Sequence, residues 1–271
     1  IFGQVVINEA SNFEKISIHE EALIFETLEN ITIEEIRNIP LNQFLKIESP
    51  NTNTGFTESN FWIRFQISNH TNESKLYYLE TGRPITDKVD LYIFDADSLL
   101  HFYKNGDLIP FSEKSIQHRK AIFEIQIPAK SSYDYFIHLN SDGEVINLPL
   151  IMRTAENFIN ITAFEQIIFG FFYGILGLAA IIYLFFFYGI RNRSFLYYGL
   201  YVVFIGLMQF SLDGYFHQYI LPEGGFFSDR AVVIFASIST IFLGKYTETF
   251  LDIEKYNRFI FKWFTSLRAL F

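Results

Sequence analysis

The chain has 271 residues, half of them apolar, with 33 Phe, 16 Tyr and a formal net charge of −9. It has no cysteine, which excludes disulfide frameworks, thiolate metal sites and cysteine nucleophiles. Residues 1–160 hold 13 of the 21 basic and 23 of the 30 acidic side chains, while residues 161–271 are close to neutral, and so acidic a first part excludes nucleic acid or an anionic membrane surface as its partner.

Residues 1–12 are assigned as an N-terminal tail. The opening "IFGQVV" lacks a Met and fits either the end of a hydrophobic signal region or the edge of a fragment. From 13 to 155 short alternating runs are separated by turn clusters, the pattern of antiparallel strands with one buried face. In "FWIRFQI" Phe61, Ile63, Phe65 and Ile67 share one face, with Trp62, Arg64 and Gln66 on the other. "VDLYIF" sets Val89, Leu91 and Ile93 against Asp90, Tyr92 and Phe94; "AIFEIQI" turns Phe123, Ile125 and Ile127 inward. "YDYFIHL" does the same with Tyr133, Tyr135, Ile137 and Leu139, against Asp134, Phe136 and His138. With turns at "HTNES", "KNGD", "PAKSS" and "NSDGE", the expected fold is an all-β sandwich of the jelly-roll kind, outside the membrane.

The second strand faces mix large rings with hydrogen-bonding groups. Trp62, Tyr92 and Phe136 stand beside Arg64, Asp90 and His138. A flat ring stacks on a sugar face while polar groups fix its hydroxyls, so these six are the candidate ligand-binding residues, for a small molecule or carbohydrate. The competing role is structural, since aromatics on a second face also serve as cover for a docking loop. No catalytic residue, cofactor or metal site is expected: the histidines show no ligand spacing, and nucleophile-elbow, phosphate-loop and dinucleotide motifs are missing from the sequence. His118 and Arg119 read as a surface pair at a strand edge. Asn30, Asn69, Asn72 and Asn160 match the glycosylation sequon, a pattern common by chance.

Residues 156–271 read as a transmembrane helical domain. Gln166–Ile190 carries no charge, and at about 1.5 Å per residue its 25 residues exceed the roughly 30 Å hydrocarbon core. A second uncharged run, Ser194–Leu212, follows after Arg191, Asn192 and Arg193. Two arginines in so short a loop place it on the cytoplasmic side and residues 1–165 outside. A third run, Ala231–Leu251, has Lys245 and Glu248 near its inner end, where a lysine snorkels and a carboxylate pairs with it. A partial fourth span is expected over 259–271, so the chain reads as stopping inside the bundle. Gly170, Gly174 and Gly177 share one face of the first span and favour close helix packing within the chain, with a homodimer as the lesser option. Gln209, Asp213 and His217 fall at the outer water interface.

The order "FWIRFQISN", "DKVDLYIF", "LPLIMRTAENF" and then "RNRSFLYYGLYVVFIGLMQFSLDG" resembles the bacterial seven-transmembrane receptors with diverse intracellular signalling modules, carrying their type 2 extracellular domain. The resemblance covers Phe56–Ile253. It implies a jelly-roll sensor related to carbohydrate-binding modules, a seven-helix membrane core, and a cytoplasmic output such as a histidine kinase or diguanylate cyclase. The expected function is therefore a receptor of the bacterial inner membrane that binds a small ligand outside and signals inward. The alternative is a membrane-anchored binding or transport component for saccharides.

Overall fold

The computed structural model describes residues 3–9, 13–47, 52–141 and 145–256. They fall into two compact units, Ile1–Thr162 with His217–Gly225, and Ala163–Phe216 with Phe226–Phe271.

The first unit is a β-sandwich. Its larger sheet contains β1 (Gln4–Ile7), β3 (Leu23–Thr27), β4 (Leu45–Lys46), β6 (Asn60–Asn69), β8 (Lys88–Asp95), β9 (Ser98–Asn105) and β11 (Ser131–Asn140), in the order β4-β3-β6-β11-β8-β9, with β1 parallel to β6. The facing sheet is β10-β7-β13-β2, built from β2 (Lys15–Ser17), β7 (Lys75–Gly82), β10 (Ala121–Ile127) and β13 (Ile151–Thr154). A separate pair joins β5 (Thr52–Phe56) to β12 (Val145–Leu148). The residues expected to face inward do so: Phe61, Ile63, Phe65, Ile67, Val89, Leu91, Ile93, Phe123, Ile125, Ile127, Tyr135, Ile137 and Leu139 are all buried in one core. Phe65 stacks on Tyr135 with ring centroids 5.2 Å apart, the offset contact that adds to simple area burial.

Two features depart from the sequence reading. Residues 4–7, within the stretch read as a tail, form a strand whose Val5 and Ile7 are buried while Gln4 is exposed. Four alternating residues are too short a run to separate from a tail without the partner strand. Arg119, read as a surface residue, is buried, while His118 packs edge-on to Phe158 at 5.6 Å.

The turns "HTNES" and "PAKSS" carry the chain from one sheet to the other, since β6 and β7, like β10 and β11, lie in opposite sheets. Asn69 joins these crossovers. It is fully buried, its Nδ2 donates to the carbonyls of Glu73, Ile127 and Pro128, and its Oδ1 accepts from the Thr71 backbone. A sequon position is thus spent on backbone groups that would otherwise lack partners.

After β9 the chain passes through Gly106, whose φ is +121°. A Cβ at this position would lie 2.1 Å from the Asp87 carbonyl oxygen, so the expected cost of Gly106→Ala is about 2 to 3 kcal/mol from backbone strain. A shift in denaturation midpoint of the sensor unit measures it; an unchanged midpoint would show that the loop relaxes freely.

Above the outer face of the larger sheet lies α1 (Ile33–Asn38). Its start is fixed by a capping box: Thr32 accepts from the Glu35 backbone and Glu35 accepts from the Thr32 backbone. Ile36 is fully buried beneath it.

Helices α2 (Ala155–Ile190), α3 (Arg193–Leu212) and α4 (Phe226–Phe250) are the three, among the described residues, long and apolar enough to cross a membrane; a short α5 (Ile253–Tyr256) follows. α2 starts directly after β13, eleven residues earlier than the charge-free run at Gln166. Its first turns hold Glu156 and Glu165, and at about 1.5 Å per residue the whole helix exceeds the hydrocarbon thickness, so the charged start extends out of the bilayer. α4 likewise starts at Phe226, ahead of Asp229 and Arg230. The expected span over 259–271 lies outside the described residues.

Within the second unit α3 packs on α4 through Phe204 and Phe242, stacked at 5.6 Å, and Tyr198 and Tyr246 at 5.0 Å. The short α2–α3 connection is closed by Asn192, which caps α3 by accepting from the Ser194 backbone. Gly170, Gly174 and Gly177 meet nothing within 4 Å among the described residues. The close approach is made by Gly199 of α3 instead, where a Cβ would come within 3.2 Å of Leu184. At the C-terminal end of α3 Asp213 accepts from Tyr173 Oη at 2.5 Å and from Gln209 Nε2 at 3.2 Å, tying α2 to the end of α3. Lys245 lies over the Tyr197 ring at 5.6 Å.

Candidate functional site

The strand register brings the six candidate residues into one block. Trp62 pairs with His138 and His138 with Asp90, forming one row across β6, β11 and β8. Arg64, Phe136 and Tyr92 form the next row. Side chains two apart on a strand share a face, so all six point the same way. The rows continue onto β9, where Lys104 pairs with Asp90 and Phe102 with Tyr92.

The block is half roofed. Trp62, Phe136 and Phe94 form a second apolar cluster with Ile36 of α1 and Phe44, flanked by Phe25, Ile33 and Ile39. Trp62 and Phe136 are 2% and 1% exposed, so under this roof they act as cover for the sheet. The Trp62 ring stacks on His138 at 4.4 Å and 13°, and its Nε1 has no hydrogen-bond partner among the described residues. Arg37 of α1 holds the roof down: it donates to Ala96 O at 3.0 Å, pairs with Asp97 at 2.9 Å, and lies 4.1 Å above the Phe94 ring.

Beyond the roof the surface turns polar and opens. Phe102 is 42% exposed and stacks on Tyr92 at 4.6 Å, with Lys104 Nζ over it at 5.7 Å. Asp90 is buried and pairs with Lys88 Nζ at 3.3 Å. Burial pushes its carboxyl above the usual range, against the pull of Lys88 and Lys104. His138 Nε2 lies 2.8 Å from Asn60 Oδ1; an amide oxygen only accepts, so the neutral ring carries its proton on Nε2. Burial, and then the charge of Lys88, lower its pKa to about 4, so it is uncharged at neutral pH. Burial and the nearby carboxylates of Asp90 and Glu34 raise Tyr92 to about 12. Arg64 sits to one side, paired with Asp134 at 3.3 Å and over the Phe136 ring at 5.0 Å.

Chemically the open end offers an aromatic shelf and two ammonium groups, with the Asp90 carboxyl and the neutral His138 ring buried beneath them. Such a set hydrogen-bonds and stacks. Among the described residues no group of His, Asp and Glu is arranged to hold a metal ion. Sequence reasoning missed Phe102 and Lys104, which alternate in "SLLHFYKN" but show their role only once β9 is paired to β8. The roof did have a signal, the Thr32-to-Glu35 capping pattern.

A β-sandwich followed by membrane-length apolar helices defines a membrane protein with an extracellular N-terminal domain. Residues 22–154 match the family model described as 7TMR-DISM extracellular 2, and residues 165–271 match 7TM diverse intracellular signalling. The chain belongs to the 7TMR-DISM family of membrane sensory receptors. No curated protein matches it significantly. Among solved structures it is similar to TmCBM61 in complex with β-1,4-galactotriose, at 9% identity and a TM-score of 0.25, over 48% of this chain and 81% of that one. A family 35 carbohydrate-binding module from Clostridium thermocellum gives 12% and 0.26, over 52% and 98%. A β-glucosidase from Kluyveromyces marxianus in complex with glucose gives 10% and 0.30, over 66% of this chain but 20% of the enzyme. Likenesses at these scores carry no functional weight.

Proposed function

We propose that this receptor lies in a bacterial inner membrane with its β-sandwich in the periplasm, binds a small polar ligand of the saccharide class there, and passes the event through its helices to a cytoplasmic output module. The orientation rests on Arg191 and Arg193 in the short α2–α3 connection. The ligand reading rests on one observation, the open end of the block, where Tyr92 and Phe102 stack as a shelf beside Asp90, Lys88 and Lys104. Rings and fixed polar groups in that combination suit a sugar, whose apolar face and hydroxyls need both.

The test is calorimetric titration of the full chain in lipid nanodiscs with glucose, galactose and their β-1,4-linked oligomers. One of these should bind, and Phe102→Ala or Tyr92→Ala should each weaken it by about 10- to 100-fold, the effect of losing an anchoring ring. Binding unaffected by either substitution, or no binding by any of these sugars, would reject the saccharide site.

A further inference from the structure

The loop between α3 and α4 is part of the sensor. His217–Gly225 cluster with the β-sandwich unit, against the segment that follows β9. The Phe111 backbone donates to the Pro222 carbonyl at 2.6 Å. The buried ring of Phe111 lies 5.9 Å from that of His217, itself buried. Gly224 adopts φ +71°, and a Cβ there would stand 3.5 Å from the Asp107 carbonyl oxygen, so the two backbones run close. Lys114 is buried in the same place, with its Nζ 5.4 Å from the Phe111 ring. Both sides of this contact belong to the first unit, yet residues 217–225 continue covalently into α3 at one end and α4 at the other.

The receiving segment is also continuous with the candidate ligand shelf. Lys104 and Asn105 end β9, opposite Asp90 and Val89. Gly106 follows at once, and the Asp107 and Leu108 backbones donate to the carbonyls of Thr86 and Asp87, at the start of β8. Asn105 fixes this corner, donating to Ile122 O at 3.2 Å and accepting from the Gly106 backbone. Only Asn105 and Gly106 therefore separate Asp107 from Lys104 at the edge of the shelf.

Resting on the ligand-site reading above, we propose that residues 217–225 are a signalling strap: a change at the Asp90–Lys104 end of β8 and β9 passes through Gly106–Phe111 into the strap, and so into the chain entering α3 and α4. The sensor then has two covalent routes to the helices, β13 into α2 and the strap. Two routes give a lever, because a shift between the two attachment points changes what the helices receive even when the sandwich itself stays rigid.

Hydrogen exchange of the full chain in nanodiscs tests this without any ligand. Phe111→Ala removes the ring that packs on the strap, and Lys104→Glu reverses an exposed charge opposite Asp90. Phe111→Ala should speed exchange at the amides of 217–229 by about tenfold, the scale of one lost buried contact, and Lys104→Glu should speed it measurably but less, while β6 and β11 stay protected. Unchanged exchange at 217–229 in Phe111→Ala overturns the strap. A response to Phe111→Ala but not to Lys104→Glu overturns the link to the shelf. A second measurement uses the absence of native cysteine: Phe111→Cys with Pro222→Cys should form a disulfide in membranes, and failure to cross-link under oxidant counts against the contact. Loss of sugar binding in the calorimetry leaves these results untouched, so the two ideas fail separately.

Discussion

Trp62→Ala is expected to destabilise the sensor unit by about 3 to 5 kcal/mol, the cost of removing a fully buried indole from a site that cannot collapse around it. The ring is 2% exposed, with His138 stacked on one side and Tyr92 at 5.9 Å. The roof over it is held by a capping box and by Arg37, so the cavity is not closed by simple sagging of α1. Trp62→Phe separates packing from polarity. The indole N–H has no partner among the described residues, so no hydrogen bond is lost and the phenyl variant should cost only about 1 to 2 kcal/mol. Urea unfolding of the full chain in detergent, followed by far-ultraviolet circular dichroism of the β unit, measures both. If Trp62→Ala leaves the midpoint unchanged but abolishes sugar binding, the ring is a ligand contact and the roof is mobile.

Acidification should destabilise the same unit between about pH 6.5 and pH 4. His138 and His217 both have folded pKa values lowered to about 4, in each case mainly by burial and next by a lysine, Lys88 or Lys114. With a lowered folded pKa the unfolded chain binds protons first. The neutral-ring stabilisation is complete above the unfolded value near 6.5, falls as pH drops, and is fully lost below about 4. Each buried ring contributes on the order of 3 kcal/mol to that loss. Asp90 acts in the opposite sense, because its raised carboxyl pKa favours the protonated folded form as pH falls, and offsets part of the effect. Unfolding midpoints measured from pH 8 to pH 4 should slope downward. His138→Gln, which retains a donor toward Asn60, should flatten roughly half of that slope. A profile indifferent to His138→Gln would mean the ring is hydrated in the native state.

The candidate site was partly legible. Alternation in "FWIRFQI", "VDLYIF" and "YDYFIHL" assigns every side chain to one of two faces, and both the core residues and the six site candidates follow from it, because the side-chain period of a strand is two wherever the strand is paired. That alternation does not tell which face is wet. Trp62 and Phe136 have the same sequence signature as Tyr92 and Phe102, and only the position of α1 makes the first pair roof-covered while the second borders solvent. The glycines show the same gap. Gly170, Gly174 and Gly177 have the ideal spacing for a helix contact, yet among the described residues the contact is made at Gly199, because spacing specifies a face but not what lies opposite it.

The sequence by itself determined the two-part organisation, the inward faces of the sandwich and the three apolar helices. These depend on local period, length and charge, which a single chain carries residue by residue. The tertiary structure alone decided that Val5 and Ile7 complete the sheet, that α1 covers half of the aromatic face, that Lys104 and Phe102 flank Asp90 and Tyr92, and that residues 217–225 pack on Phe111. Each of these is a pairing between segments far apart in the chain, and its energy comes from surfaces that exist only after both partners have folded.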